Sequence, residues 1–93
     1  MSLVIARAFD ASSPWRLSPQ VSLRDETFGA LAYNHDNRRL VFLKSPTLVA
    51  LVRQLNDHGS ADDAIDAVVE PAQRERYVRA LESLVTSEII CGR

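Results

Sequence analysis

The dipeptide Ser45-Pro46 divides this chain into two parts with different periodicities. Downstream, a serine oxygen is placed to cap free N–H groups, and proline suits the first helical position. Leu48, Val49, Leu51, Val52 and Leu55 then recur at helical spacing, which predicts a helix to about Asp57. Upstream, Arg39 to Leu43 alternates as a strand does, with Leu40 and Phe42 on one face and Val41 and Leu43 on the other. Only Lys44 separates strand from helix. The strand is apolar on both faces, in a chain of 93 residues that can hold one modest core.

The pattern on either side fixes the element order. Residues 1–14 carry no sustained period and end in the loop residues Ser12, Ser13 and Pro14. We read them as an N-terminal arm, either disordered or packing through Val4, Ile5 and Phe9, ahead of a domain over residues 15–93. Trp15 opens an extended stretch that Pro19 separates from a first strand, Val21 to Asp25. A second strand follows at Phe28 to Asn34, with Phe28, Ala30 and Ala32 on one face and Leu31 and Tyr33 on the other. Gly29 inside it points to a bulge or a close backbone approach. Asp36 and Asn37 tolerate positive φ and predict a tight turn into the third strand, Arg39 to Leu43. After the first helix, Gly59 is expected to supply a left-handed stop and Ser60 to cap a second helix, with Asp63 in the capping-box position. Pro71 starts a third, to about Ser87, with Tyr77, Val78, Leu81, Leu84 and Val85 as its apolar stripe. The terminal "EIICGR" reads as a short apolar segment packed on the core. Strands first and helices after imply an α+β domain, a three-stranded antiparallel sheet followed by three helices, in a winged helix-turn-helix-like arrangement by analogy.

Composition excludes several functions. The net charge of −1 argues against a dedicated nucleic-acid binder. No apolar run approaches the ~20 residues of a membrane span, and the first residues lack a secretory pattern. With Cys91 as the single cysteine there is no intramolecular disulfide, and a cytoplasmic setting follows. His35 in a turn and His58 at a helix end have no nameable catalytic partner. Cys91 lacks an activating setting, and the histidines and cysteine are not at metal-ligand spacing. Asp62, Asp63 and Asp66 are explained by capping and the helix dipole. The chain reads as a non-enzyme with no catalytic residue and no metal. A DNA-binding regulator is the rival reading, with Arg74, Arg76 and Arg79 on the third helix as its footprint.

The third strand is an edge of the predicted sheet unless the C-terminal segment covers it. An edge exposes unpaired N–H and C=O groups, and "RLVFL" contains no lysine, proline or bulge to blunt it. Either Val41 and Leu43 pack beneath the arm and Trp15, or the edge accepts a peptide as a further strand. A third outcome is pairing with a second copy as a homodimer.

The segments "WRLSPQVSLR", "FGALAY" and "RRLVFLKSPTLV" resemble the small peptide chaperones of mycofactocin biosynthesis, within the PqqD-like precursor-peptide recognition elements. The resemblance runs from about Trp15 to the C-terminus. It implies a non-catalytic domain without cofactor that binds the leader of a ribosomal precursor peptide and presents it to a radical S-adenosylmethionine maturase. The iron–sulfur cluster and S-adenosylmethionine would belong to that enzyme. The implied dock is the strand Arg39, Leu40, Val41, Phe42 and Leu43 with a helical wall of Arg74, Tyr77, Val78 and Leu81. No nucleic acid or membrane partner is implied.

Overall fold

A computed structural model describes residues 8–93. Five strands and three α-helices follow in the order β1 (Trp15–Leu17), β2 (Val21–Glu26), β3 (Gly29–Asn34), β4 (Leu40–Leu43), α1 (Pro46–Gln54), α2 (Ala61–Val68), α3 (Arg74–Thr86) and β5 (Ile90–Gly92). The molecule is α+β: β2, β3 and β4 form an antiparallel sheet with β3 central, and the helices come after it. The expected third strand is thus β4. The apolar C-terminal segment is β5, and it pairs with β1 in a separate two-stranded ribbon rather than covering β4. Among the described residues, no helix is long and apolar enough to cross a membrane.

The core lies between the inner face of the sheet and the helices. Ala30 and Ala32 of β3 and Leu43 of β4 contribute from the sheet; Leu51, Val52, Leu55, Ile65 and Leu81 contribute from the helical side. Trp15 is buried among them, and its indole N–H donates to the Asp10 carbonyl at 2.7 Å. Phe9 packs on Trp15 with ring centroids 5.2 Å apart, so the end of the arm is docked. Val4 and Ile5 lie outside the described residues. The carbonyls of Ala11 and Ser13 accept from Asp62 and Ala61, filling free donors at the start of α2.

Several local expectations change. Ser45 caps α1 as expected, accepting from the Leu48 N–H at 3.2 Å. The helix itself stops at Gln54, and a 3₁₀ turn over Leu55–Asp57 completes the predicted length. Gly59 does not supply a left-handed stop: extended backbone at His58 breaks the helix. Ser60 caps α2 through the Asp63 N–H at 3.1 Å. Pro71 opens a 3₁₀ turn, Pro71–Gln73, and α3 begins only at Arg74.

In the β3–β4 hairpin the positive φ is at Arg38, not at Asp36 or Asn37. Asn34 explains this. Its side-chain oxygen accepts from the N–H groups of Asp36 and Asn37, and its carbonyl accepts from Arg38, so the chain winds tightly and reverses one residue later. The Asn34 amide also donates to the Glu88 carbonyl at 2.8 Å, tying the hairpin to the end of α3.

Phe28 does not share the inner face with Ala30 and Ala32. Gly29 has φ +149°, a conformation that turns Phe28 outward, and a methyl at Gly29 would collide with the Leu43 carbonyl oxygen. This is the close backbone approach anticipated for that glycine.

Candidate functional site: the open edge of β4

β4 hydrogen-bonds only to β3; among the described residues no strand lies on its other side. The register sets which groups are left over. Asn34 donates to the Arg39 carbonyl at 2.9 Å, and bonded pairs alternate along an antiparallel ladder. Opposite pairs are Tyr33 with Leu40, Ala32 with Val41, Leu31 with Phe42 and Ala30 with Leu43. Val41 and Leu43 therefore direct their N–H and C=O groups to β3. Leu40 and Phe42 direct theirs to the open edge.

The side chains follow the same two-residue period. Val41 and Leu43 turn inward, Leu43 being fully buried and Val41 packed against the core. Leu40 and Phe42 turn to the outer face, where they are 54% and 55% exposed. Phe28, turned out by Gly29, stacks on Phe42 with centroids 5.9 Å apart and is 39% exposed. Three large apolar side chains in solvent beside free strand donors and acceptors are unusual, because natural edges are commonly blunted by charge or proline.

Two side-chain hydrogen bonds join α3 to the residues that flank β4. At one end, the Ser45 and Tyr77 hydroxyls hydrogen-bond at 3.0 Å. At the other, the Arg39 guanidinium donates to the carbonyl of Thr86, the last residue of α3, at 3.4 Å. A cavity of about 160 Å³ opens near the first tie, lined by Lys44, Ser45, Leu48, Arg76, Tyr77 and Ala80. Ser45 thus has two jobs: it caps α1 and it bonds the Tyr77 hydroxyl beside this cavity.

Of the four helical residues implied by the family resemblance, only Tyr77 lines this cavity. Arg74 faces α2, where it pairs with Asp62 and Asp66. Leu81 is fully buried in the core, and Val78 is partly buried against it. The other α3 residues that line the cavity are Arg76 and Ala80. The helical stripe in the sequence marks the buried face; the cavity-lining residues lie at its border, and only the rotation of α3 about its axis tells the two apart. Ala80 in particular gave no chemical signal.

Elsewhere the chemistry is sparse. Ser22 Oγ and His35 Nε2 lie 2.7 Å apart, but both are exposed and no carboxylate is bonded to the imidazole. His35 instead meets Tyr33 edge-on. Among the described residues, no three His, Cys, Asp or Glu side chains gather to hold a metal ion. Of the three arginines that carried the DNA-binding reading, Arg74 is paired with α2 and Arg79 with Glu75.

These features define a class: a small α+β domain whose three-stranded sheet leaves β4 as an apolar edge with Leu40 and Phe42 exposed beside it. The chain belongs to the MftB peptide chaperone family, whose model matches residues 14–91. It is 42% identical over 86 residues to the peptide chaperone MftB of Mycobacterium ulcerans, covering 91% of this chain and 79% of that protein. The peptide chaperone MftB of Mycolicibacterium smegmatis is 43% identical over 83 residues, covering 88% of this chain and 81% of that protein. That of Mycobacterium tuberculosis is 40% identical over 86 residues, with 91% and 79% covered. No solved structure gives a significant match.

Proposed function

We propose that this protein is a non-catalytic peptide chaperone, acting in the cytoplasm, that takes the leader of a ribosomal precursor peptide as a new strand on β4 and presents it to a radical S-adenosylmethionine maturase in mycofactocin-type biosynthesis. The observation that carries the reading is the bare edge of β4, where Leu40 and Phe42 offer backbone groups beside exposed side chains. Relatives named as peptide chaperones support the peptide as partner. Main-chain bonds give strand addition its affinity, and the flanking side chains give it selectivity. A flexible leader loses entropy on binding, which limits affinity. Docking the chaperone on the maturase offsets this by raising the effective concentration of peptide at the active site.

The peptide backbone pairs with Leu40 and Phe42. Its outward side chains lie beside those two residues, and its inward ones lie over Tyr77 and the cavity. Arg39, Val41 and Leu43 hold the strand in place, while Arg74, Val78 and Leu81 support α3 from behind.

The test is a titration with a mycofactocin-type precursor peptide, followed by backbone amide NMR shifts. The expected result is a coherent shift of residues 39–44 and of Arg76, Tyr77 and Ala80. Absence of shifts at sub-millimolar peptide would sink the reading. Shifts confined to α3 on adding duplex DNA would favour the regulator instead, and concentration-dependent size without peptide would favour self-pairing of β4.

A further inference from the structure

The arginines and lysine of this chain are unevenly satisfied. Arg24, Arg53, Arg74 and Arg79 each pair with a carboxylate of the chain itself. Among the described residues, Arg16, Arg38, Arg39, Lys44, Arg76 and Arg93 have no carboxylate partner. Arg16 belongs to β1, and Arg93 follows β5 and donates to the carbonyls of Asn56 and His58. The other four bracket the open edge. Arg38 and Arg39 stand at the start of β4, and Arg39 reaches the end of α3. Lys44 and Arg76 stand at its other end and line the cavity beside Tyr77. The carboxylates nearest in sequence are occupied or face elsewhere. Glu75 is bonded to Arg79, and Glu88 to Asn37. Asp36 and Glu88 line a different cavity, with Trp15, Val85 and Cys91.

Resting on the proposed strand addition at β4, we propose that the groove selects an acidic peptide: a short apolar stretch flanked on both sides by Asp or Glu. The geometry sets the spacing. Arg39 and Lys44 flank β4 and are five residues apart in sequence, roughly 17 Å of extended chain at about 3.4 Å per residue. An added strand runs at the same rise, so its carboxylates fall about four to six residues apart, on one face at the even spacings. Between them the alternating apolar side chains lie beside Leu40 and Phe42 on the outer face and over Tyr77 and Ala80 on the inner one. The pattern is symmetric in sign, so it serves a peptide running in either direction. The cations are at the rim and wet. Their effect falls on the association rate and its salt dependence more than on the lifetime of the complex.

The test uses the intact protein and a mycofactocin-type precursor peptide in two forms: native, and with every Asp and Glu replaced by Asn and Gln. Binding kinetics are measured at about 50 mM and about 500 mM salt, where screening lengths differ severalfold. The native peptide is expected to associate about tenfold faster at low salt, and the neutral peptide is expected to bind about tenfold more weakly with little salt dependence. In the double variant Lys44→Glu, Arg76→Glu the advantage of the native peptide over the neutral one shrinks or inverts. Circular dichroism checks that this variant is folded; Lys44→Gln, Arg76→Gln serves if it is not. If both peptides bind equally while the amides of Leu40 and Phe42 still respond, the acidic selection is wrong and strand addition stands. If the native peptide leaves those amides unchanged, both are wrong.

Discussion

The sheet has two edges, and they are built differently. β2 carries Arg24, Asp25 and Glu26 within the strand, with Arg24 paired to Glu26 at 3.1 Å and Asp25 to Arg53 at 2.9 Å. β4, on the other side of the same central strand, carries Leu40, Val41, Phe42 and Leu43 and no charge. Ion pairs this exposed add little to stability. Their effect at β2 is to make the edge unattractive to another chain, as charge on edge strands does. That defence was within reach of the sequence at β4 and is missing there. An undefended edge is an aggregation hazard unless something regularly occupies it, so the difference between the edges supports the proposal that β4 is the one a peptide uses.

The largest effect is expected where β3 meets the end of β4. Gly29→Ala places a methyl against the Leu43 carbonyl at a φ that side chains rarely adopt, and should destabilise the domain by about 3 kcal/mol in a denaturant titration. A change below about 0.5 kcal/mol would mean that the close approach is not required to hold β4 in register. Next comes the edge itself. Phe42 turns its N–H away from β3, so Phe42→Pro removes a donor the sheet does not use. The protein should fold while affinity for the precursor peptide falls at least tenfold; retained affinity would remove β4 from the binding surface. A smaller effect is expected from giving β4 the defence that β2 has. Leu40→Lys should weaken peptide binding severalfold and lower the tendency to aggregate, leaving stability within about 0.5 kcal/mol, as for most surface substitutions. Least of all should come from Arg24→Ala or Asp25→Ala on β2. Binding should stay within about twofold, and a larger loss would place the peptide on the wrong edge.

Much of this was legible in the sequence because it rests on local rules. Ser45-Pro46 marked a helix start that Ser45 caps, and the alternation over residues 39–43 placed a strand whose faces are as read. Gly29 announced a close approach, and the C-terminal apolar segment a packed end. What sequence missed depends on tertiary geometry. Asn34 reads as an ordinary polar residue, yet it is buried and organises the hairpin, so the positive φ moves to Arg38. Gly59 has the residue type for a left-handed stop, but extended backbone at His58 does the work. Arg74 stands in the sequence as one of three arginines on the third helix, and only the packing of α2 against α3 brings Asp62 and Asp66 to it. Ala80 and Arg76 reach the groove only because of how α3 is rotated about its axis.

The backbone of β4 gives the most direct test of strand addition. Amide hydrogen exchange should be followed residue by residue, with and without saturating precursor peptide. In the free protein, Val41 and Leu43 should be protected by β3, and Leu40 and Phe42 should exchange fast. With peptide, Leu40 and Phe42 should slow by an order of magnitude or more, while Leu23 and Asp25 on the β2 edge stay as they were. If the peptide binds and Leu40 and Phe42 continue to exchange as in the free protein, no strand has been added to β4 and the account is wrong.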